Sequence, residues 1–395
     1  MLNHRLINAP HEPKEFMQAA IKFLEKFAKN KKVFCALSGG IDSSAVYLLL
    51  KKASIEVLPV FIDHGLMRMI NGVEEKDYIK KFFPDVRIVD IQKEFLPKIY
   101  GVEDAEKKRK IFKLGYSDVI SHVIKTENCD LLADGTILPD IEESFGVNIT
   151  DLNETMSLKE ELELKKKQES GFVKSQHNVE IEYDVEATIQ PVASLTKAEV
   201  RNLLKHFEMP DELVYRKAFP GPALAARIIG PITRKNLPFE KQVHDIVESS
   251  VNQYYAENYG KSMIINKSGE QEPFQVFAAI SENLINSKVT GLVDNKRIYK
   301  EPLVVKGKWD FESLTNTARK LDGYSRLLYE LSSEREGKYD IIIRSVNSID
   351  ARTASVTNLS IMLLKEIAKK LNRIESVRKV FYDVTPKPPA TIEYV

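Results

Sequence analysis

Ser38-Gly-Gly-Ile-Asp-Ser-Ser44 follows a short apolar run, Val33 to Leu37, and opens into Ala45-Val-Tyr-Leu-Leu-Leu50. A strand, a glycine turn and a helix start, in that order, make a cradle for phosphate. Gly39 and Gly40 reach backbone angles closed to other residues, so successive N–H groups can converge on an anion with no Cβ in the way. Asp42, Ser43 and Ser44 then fall in the first helical turn, where unpaired N–H groups and the positive end of the dipole favour negative charge. The loop lacks the Walker-type lysine and does not fit that spacing, which points to a different nucleotide chemistry. The same residues also suit a plain turn and helix cap.

The elements that must position this loop decide between the two. Phe16, Ala20, Phe23, Leu24 and Phe27 recur at helical spacing and predict a leading amphipathic helix over 12–30. Val57 to Ile62 reads as a second buried strand ending in Asp63-His64-Gly65, Val86 to Asp90 as a third, and Cys129 to Ala133 as a fourth. The fourth ends in Asp134-Gly-Thr-Ile-Leu-Pro-Asp-Ile-Glu-Glu-Ser144. Strands separated by helical stretches predict a parallel sheet with helices on both faces, which binds ligands beyond the carboxyl ends of its strands. Residues 147–171 turn polar and charged, as a lid or insertion would. Thr196 and Glu199 stand at capping-box spacing, and Phe219-Pro-Gly-Pro222 must be an irregular loop.

A boundary near residue 210 divides this α/β region from a smaller α+β region. That second region holds helices over Leu237–Tyr255 and Leu359–Leu371. Its expected strands are Phe274–Ile280, Leu303–Val305, Tyr339–Arg344 and one near Val380.

The 395 residues carry 58 basic and 57 acidic side chains, a formal charge of +1, so no whole-chain field draws in a polyanion and no nucleic-acid partner is expected. The run Glu106-Lys-Lys-Arg-Lys110 reads as a solvated helix face. No apolar run approaches the ~20 residues that span a bilayer, and Met1-Leu-Asn-His-Arg-Leu6 offers no signal core, so no membrane role is expected. Cys35 and Cys129 are the only cysteines, which leaves no disulfide framework or thiol-rich metal site and makes a reducing cytoplasm the expected address.

From about Ala19 to Val395 the chain resembles the ATP-pyrophosphatase and dimerisation portions of GMP synthetase. Ser38 to Ser44 matches a loop shared with NAD synthetase, asparagine synthetase and tRNA-modifying relatives. More selective matches are Asp63-His-Gly-Leu-Met-Arg68, Ala133 to Ser144, Phe219-Pro-Gly-Pro-Ala-Leu-Ala-Ala-Arg227 and Lys387-Pro-Pro-Ala-Thr-Ile-Glu393. The resemblance implies an adenine nucleotide alpha hydrolase-like domain over 1–210 and a dimerisation and substrate-binding domain over 211–395. It implies a Mg-ATP-dependent ligase that adenylylates the C2 oxygen of xanthosine monophosphate, releases pyrophosphate, and lets ammonia displace AMP to give GMP. Ser38, Gly39, Gly40, Asp42, Ser43 and Ser44 would hold the pyrophosphate, with Asp42 a candidate Mg²⁺ ligand. Val60, Ile62, Asp63, Gly135 and Thr136 would border the nucleotide. Asp140 and Glu143 would lie near the reacting centre, and Lys174 would reach phosphate from the lid. Arg227, Lys387, Ile392 and Glu393 would face the acceptor. A homodimer is implied.

Neither cysteine sits in a Gly-x-Cys-x-Gly setting and no glutaminase precedes residue 19, so ammonia is expected from solution or from a separate glutamine amidotransferase subunit. The chain departs from the family pattern at Gln176, Glu180, Ala223, Ala225 and Arg352, all on the acceptor side. A paralogue acting on another oxo-substrate, or an ATP-binding sensor without turnover, therefore stays open beside the synthetase. NAD synthetase does not explain the Lys387-Pro-Pro ending, and a tRNA thiolase calls for cysteine pairs and a basic face.

Overall fold

The computed structural model describes residues 4–138, 140, 183–259, 275–293, 296–348 and 353–395. They form two compact units that interleave along the chain: residues 1–63, 79–90 and 114–216 in the first, and 64–78, 91–113 and 217–395 in the second.

The first unit contains β1 (His4–Leu6), α1 (Pro13–Ala28), β2 (Lys32–Ala36), α2 (Ile41–Lys52), β3 (Glu56–Asp63), β4 (Arg87–Asp90), β5 (Leu131–Ala133), β6 (Ala187–Gln190) and α3 (Lys197–His206). Its six strands run in the order β1-β6-β5-β2-β3-β4, and every pairing is parallel. Val33, Phe34 and Cys35 are buried without alternation, as strands of a sheet covered on both faces must be. α1 begins with Pro13, where a missing N–H costs nothing, and buries Phe16, Ala20, Phe23 and Leu24. α3 starts in the expected capping box: Thr196 Oγ1 accepts from the Glu199 amide, and the Glu199 carboxylate accepts from the Thr196 amide. The four strands read from sequence are present. β1 and β6 escaped that reading because each is short and lacks an alternating pattern.

Strand order reverses next to β2: the chain leaves it for β3 and β4, then crosses to β5 on the other side. The loops after β2 and β5 therefore diverge from adjacent strand ends, where open parallel sheets make their ligand crevice.

The second unit is α+β. It holds β7 (Ile228–Ile229), α4 (Asn236–Tyr259), β8 (Gln275–Ser281), β9 (Pro302–Val305), β10 (Arg326–Glu330), β11 (Tyr339–Asn347), α5 (Ile361–Leu371) and β12 (Val377–Asp383). The mixed sheet runs β9-β10-β12-β11-β8-β7. Its main core joins Leu66, Phe95 and Ile99 from the early segments to Val243, Val276, Ile341 and Leu364. On the opposite face of the sheet, beside the smaller core of Leu328, Ile342, Phe381 and Tyr394, lies a triad without solvent contact: Asp383 accepts from Arg326 Nη1 at 2.7 Å and faces Arg344 Nη1 at 3.2 Å.

The charged run at 106–110 is the expected solvated face only in part: Glu106, Lys107 and Lys110 are exposed, but Lys108 and Arg109 turn inward. Lys108 is fully buried and donates to the carbonyls of Ile228 and Gly230 at 2.6 and 2.7 Å, and Arg109 donates to the Val395 carbonyl. Burial pulls the Lys108 ammonium down to about 7. Two carbonyls 120 and 122 residues away outweigh the local charge pattern.

Candidate functional site

Gly40 caps α2 in an extended conformation, so the amides of Ile41, Asp42 and Ser43 have no partner within the helix. Ser43 and Ser44 hydroxyls donate back to the Gly40 carbonyl at 3.1 and 2.9 Å, and Ser38 Oγ lies 3.2 Å from Ser43 Oγ. These bonds fix the turn with its amides pointing outward. Gly39 takes φ +82°, and a Cβ there would fall 2.5 Å from Arg216 Nη1.

The loop after β5 closes on this turn. A Cβ at Gly135 would lie 3.0 Å from the Ser43 nitrogen and 3.2 Å from the Asp42 carbonyl carbon. Both neighbours are backbone, so a side chain here would have to push the two loops apart by a few tenths of an ångström, which favours glycine for this approach. Asp134 accepts from the Gly135 amide at 2.8 Å, and Asp140 Oδ2 accepts from the Ile137 amide at 3.1 Å. Thr136 is buried beside them, as are Val60, Ile62 and Asp63 at the end of β3. The structure thus brings the predicted ATP-side residues from three loops to one edge of the parallel sheet. Asp140 shapes its own turn through that bond.

Asp42 has two differently placed carboxylate oxygens. Oδ2 accepts from Lys197 Nζ, while Oδ1 is buried with no hydrogen-bond partner. A hard oxygen left open at a phosphate cradle fits Mg²⁺, which is usually held by one or two carboxylates together with substrate phosphates.

Sequence reasoning missed the cations around this loop. Lys197 and Arg201 stand one turn apart on α3. Burial pulls the Arg201 guanidinium down and the Asp42 charge pushes it back up. Arg216 donates to the Gly39 carbonyl. The four-residue spacing of Lys197 and Arg201 is a readable signal; Arg216 has none. Cys35 lies fully buried under the loop, and burial pushes its thiol up, so it is no nucleophile.

The predicted acceptor-side residues gather in the second unit. Arg227, 1% exposed, donates from Nε to Glu393 Oε2 at 3.3 Å and from Nη1 to His244 Nδ1 at 3.1 Å. Its guanidinium stacks 4.0 Å above the Phe277 ring and 4.8 Å from Phe219. Ile392 is nearly buried. Lys387 exchanges backbone hydrogen bonds with Ala354. Ala223 takes φ +54°, the left-handed region that suits glycine, and so keeps a glycine's backbone course despite its methyl.

A buried polar chain links these motifs. Arg68 donates to Glu248 at 2.8 and 2.9 Å, and His244 Nε2 lies 2.9 Å from Glu248 Oε2. Since Nδ1 accepts from Arg227, the ring proton sits on Nε2 and is given to Glu248. Burial holds the imidazole down to about 4, against the pull of Glu248. His64 is a turn residue: its Nδ1 accepts from the Leu66 amide, and its ring packs on Phe95 and Phe112. Glu143, the 147–171 stretch, Lys174, Gln176, His177, Glu180 and Arg352 lie outside the described residues.

Comparison with known proteins agrees with this arrangement of motifs. The family model for the GMP synthase C-terminal domain matches residues 331–394. A subunit of the glutamine-hydrolysing GMP synthase of Saccharolobus solfataricus is 31% identical, the match covering 97% of this chain and 99% of that one. The corresponding subunit of Methanocaldococcus jannaschii is 32% identical, with the same coverage of each. The glutamine-hydrolysing GMP synthase of Nitratidesulfovibrio vulgaris is 30% identical over 96% of this chain and 60% of its own length. Similarity to these synthase subunits runs end to end through both units, rather than through the phosphate loop alone, and makes this chain a member of the GMP synthase family.

Proposed function

We propose that this ATP-dependent ligase of GMP synthesis adenylylates the C2 oxygen of xanthosine monophosphate and then exchanges AMP for ammonia. The C2 oxygen attacks the α-phosphorus of ATP, the bond to the bridging oxygen breaks, and pyrophosphate leaves. Ammonia then adds at C2, AMP departs with the oxygen, and a proton is released.

The observation that carries this reading is the closure of Gly135 on Asp42 and Ser43. It gathers amide donors and the cations Lys197 and Arg216 where charge builds on the leaving pyrophosphate. Mg²⁺ held at Asp42 Oδ1 would supply Lewis-acid neutralisation of that charge. Ser38, Gly39, Gly40, Ser43 and Ser44 bind the phosphates, and Lys197 holds Asp42 in place. Val60, Ile62, Asp63 and Thr136 border the nucleotide. Asp140, Glu143 and Lys174 belong to the reacting side of the same proposal, and Arg227, Lys387, Ile392 and Glu393 to the acceptor.

Relatives named as subunits of glutamine-hydrolysing enzymes support a separate glutamine amidotransferase partner as the ammonia source. A homodimer through the second unit and a cytoplasmic address complete the proposal. Among the described residues, no helix is long and apolar enough to cross a membrane. The left-handed Ala223 favours the synthetase over an idle sensor, because the acceptor loop keeps its course.

The deciding measurement is pyrophosphate release with Mg-ATP, xanthosine monophosphate and ammonia. Release that depends on the acceptor is expected; ATP binding without release would leave a sensor. Lys387→Ala is expected to raise the acceptor KM by roughly ten- to a hundredfold, the equivalent of a charge-assisted phosphate contact worth about 1.5–3 kcal/mol. An unchanged acceptor KM in steady-state kinetics would remove Lys387 from the site.

A further inference from the structure

α4 presents Glu240, His244 and Glu248 one turn apart on its buried face. His244 and Glu248 are partnered. Glu240 is fully buried, and neither of its carboxyl oxygens has a hydrogen-bond partner. One turn along the same face, His244 accepts from Arg227 Nη1 at 3.1 Å, and Arg227 Nε in turn reaches Glu393 at 3.3 Å, so Glu240 borders this group of charges. Glu393 carries a third such oxygen, Oε1, buried and without a partner.

Arg227 is only partly used: one N–H goes to His244 and another makes the long 3.3 Å contact with Glu393, out of the five that a guanidinium offers. Three carboxyl oxygens without donors around a half-engaged guanidinium are costly as a self-contained arrangement. A ligand whose oxygens accept from the guanidinium and share a proton with a carboxyl completes it. A phosphomonoester does both: its oxygens match the guanidinium fork, and its second ionisation near neutrality lets it share a proton held on a carboxyl.

We propose that Glu240 is a further acceptor-site residue, sharing a proton with the 5′-phosphate of the acceptor nucleotide while Arg227 holds the phosphate's oxygens. This rests on the acceptor reading given above. The side chain of Glu393, 18% exposed, is the open side through which the phosphate arrives. Burial holds the Glu240 carboxyl well above the usual carboxylate range; Glu393 adds to the rise and Arg227 opposes it. A carboxyl kept neutral in this way donates to an oxyanion instead of repelling it. His244, on the same helix, has its one proton committed to Glu248, and Arg68 and Glu248 are paired with each other. Glu240 is therefore the member of the cluster left to share a proton.

Calorimetric titration of the full chain with xanthosine monophosphate, and separately with Mg-ATP, across about pH 6 to 9 tests the proposal. Wild type is expected to lose acceptor affinity toward alkaline pH. Glu240→Leu should weaken acceptor binding at least about tenfold at neutral pH and leave ATP affinity unchanged. Glu240→Gln keeps an amide donor, so it should stay within about threefold of wild type while losing the alkaline decline. Acceptor affinity in Glu240→Leu equal to wild type overturns the proposal, as does an equal loss toward both ligands or an unaltered pH profile in Glu240→Gln. Wild-type protein that binds ATP but no xanthosine monophosphate overturns the acceptor reading itself.

Discussion

Asp42→Ala is expected to slow pyrophosphate release at least about a thousandfold, roughly 4 kcal/mol of transition-state stabilisation, while the melting temperature stays within a few degrees of wild type. The two effects separate because the carboxylate's oxygens do different work. Oδ1 is buried and unpartnered, a poor arrangement for stability and a good one for a metal-bound phosphate. Oδ2 pairs with Lys197, but the two side chains are 20% and 25% exposed, so solvent screening limits that pair to below about 1 kcal/mol. A single-turnover assay of pyrophosphate with matched thermal melts checks both halves. A rate equal to wild type would remove Asp42 from the mechanism, and a collapsed melt would make its role architectural.

The largest stability effect is expected at Asp383. Asp383→Ala leaves Arg326 and Arg344 facing each other with no solvent contact, and stranding a buried charge typically costs about 3–5 kcal/mol. A fall in melting temperature on the order of 10 °C follows. Burial alone would raise the Asp383 carboxyl, but Arg344 and Arg326 outweigh it and hold it below the usual carboxylate value. Its contribution is therefore complete above the unfolded value of about 4 and is lost as pH falls through the lower folded value. Urea unfolding of the full chain should show wild type losing its advantage over Asp383→Ala only in that acidic window. A gap that widened with acidification would contradict the assignment.

Sequence revealed what is local. Val33 to Ser44 holds strand, turn and helix start within a dozen residues, and the ends of β3 and β5 announce themselves by polar residues after apolar runs. The capping box at Thr196 needed only a spacing of three. What stayed hidden depends on distant partners. Lys108 reads as solvated until the carbonyls of Ile228 and Gly230 are in place. Glu240, His244 and Glu248 recur every four residues on the buried face of α4, a pattern visible in the sequence but normally assigned to a wet surface. Only Arg68 and Arg227, brought in from other segments, explain why His244 and Glu248 are buried. The assignment of residues 64–78 and 91–113 to the second unit has no local signature at all.

That interleaving has a consequence for how the polypeptide is made. Leu66, Phe95 and Ile99 leave the ribosome well before Val243, Val276 and Ile341, the core residues that shelter them. The nascent chain must therefore carry greasy, unsheltered segments through more than a third of its synthesis, a stage at which chaperone capture competes with aggregation. Slowing translation ahead of α4 should lower the soluble yield more than the same pause placed after β12.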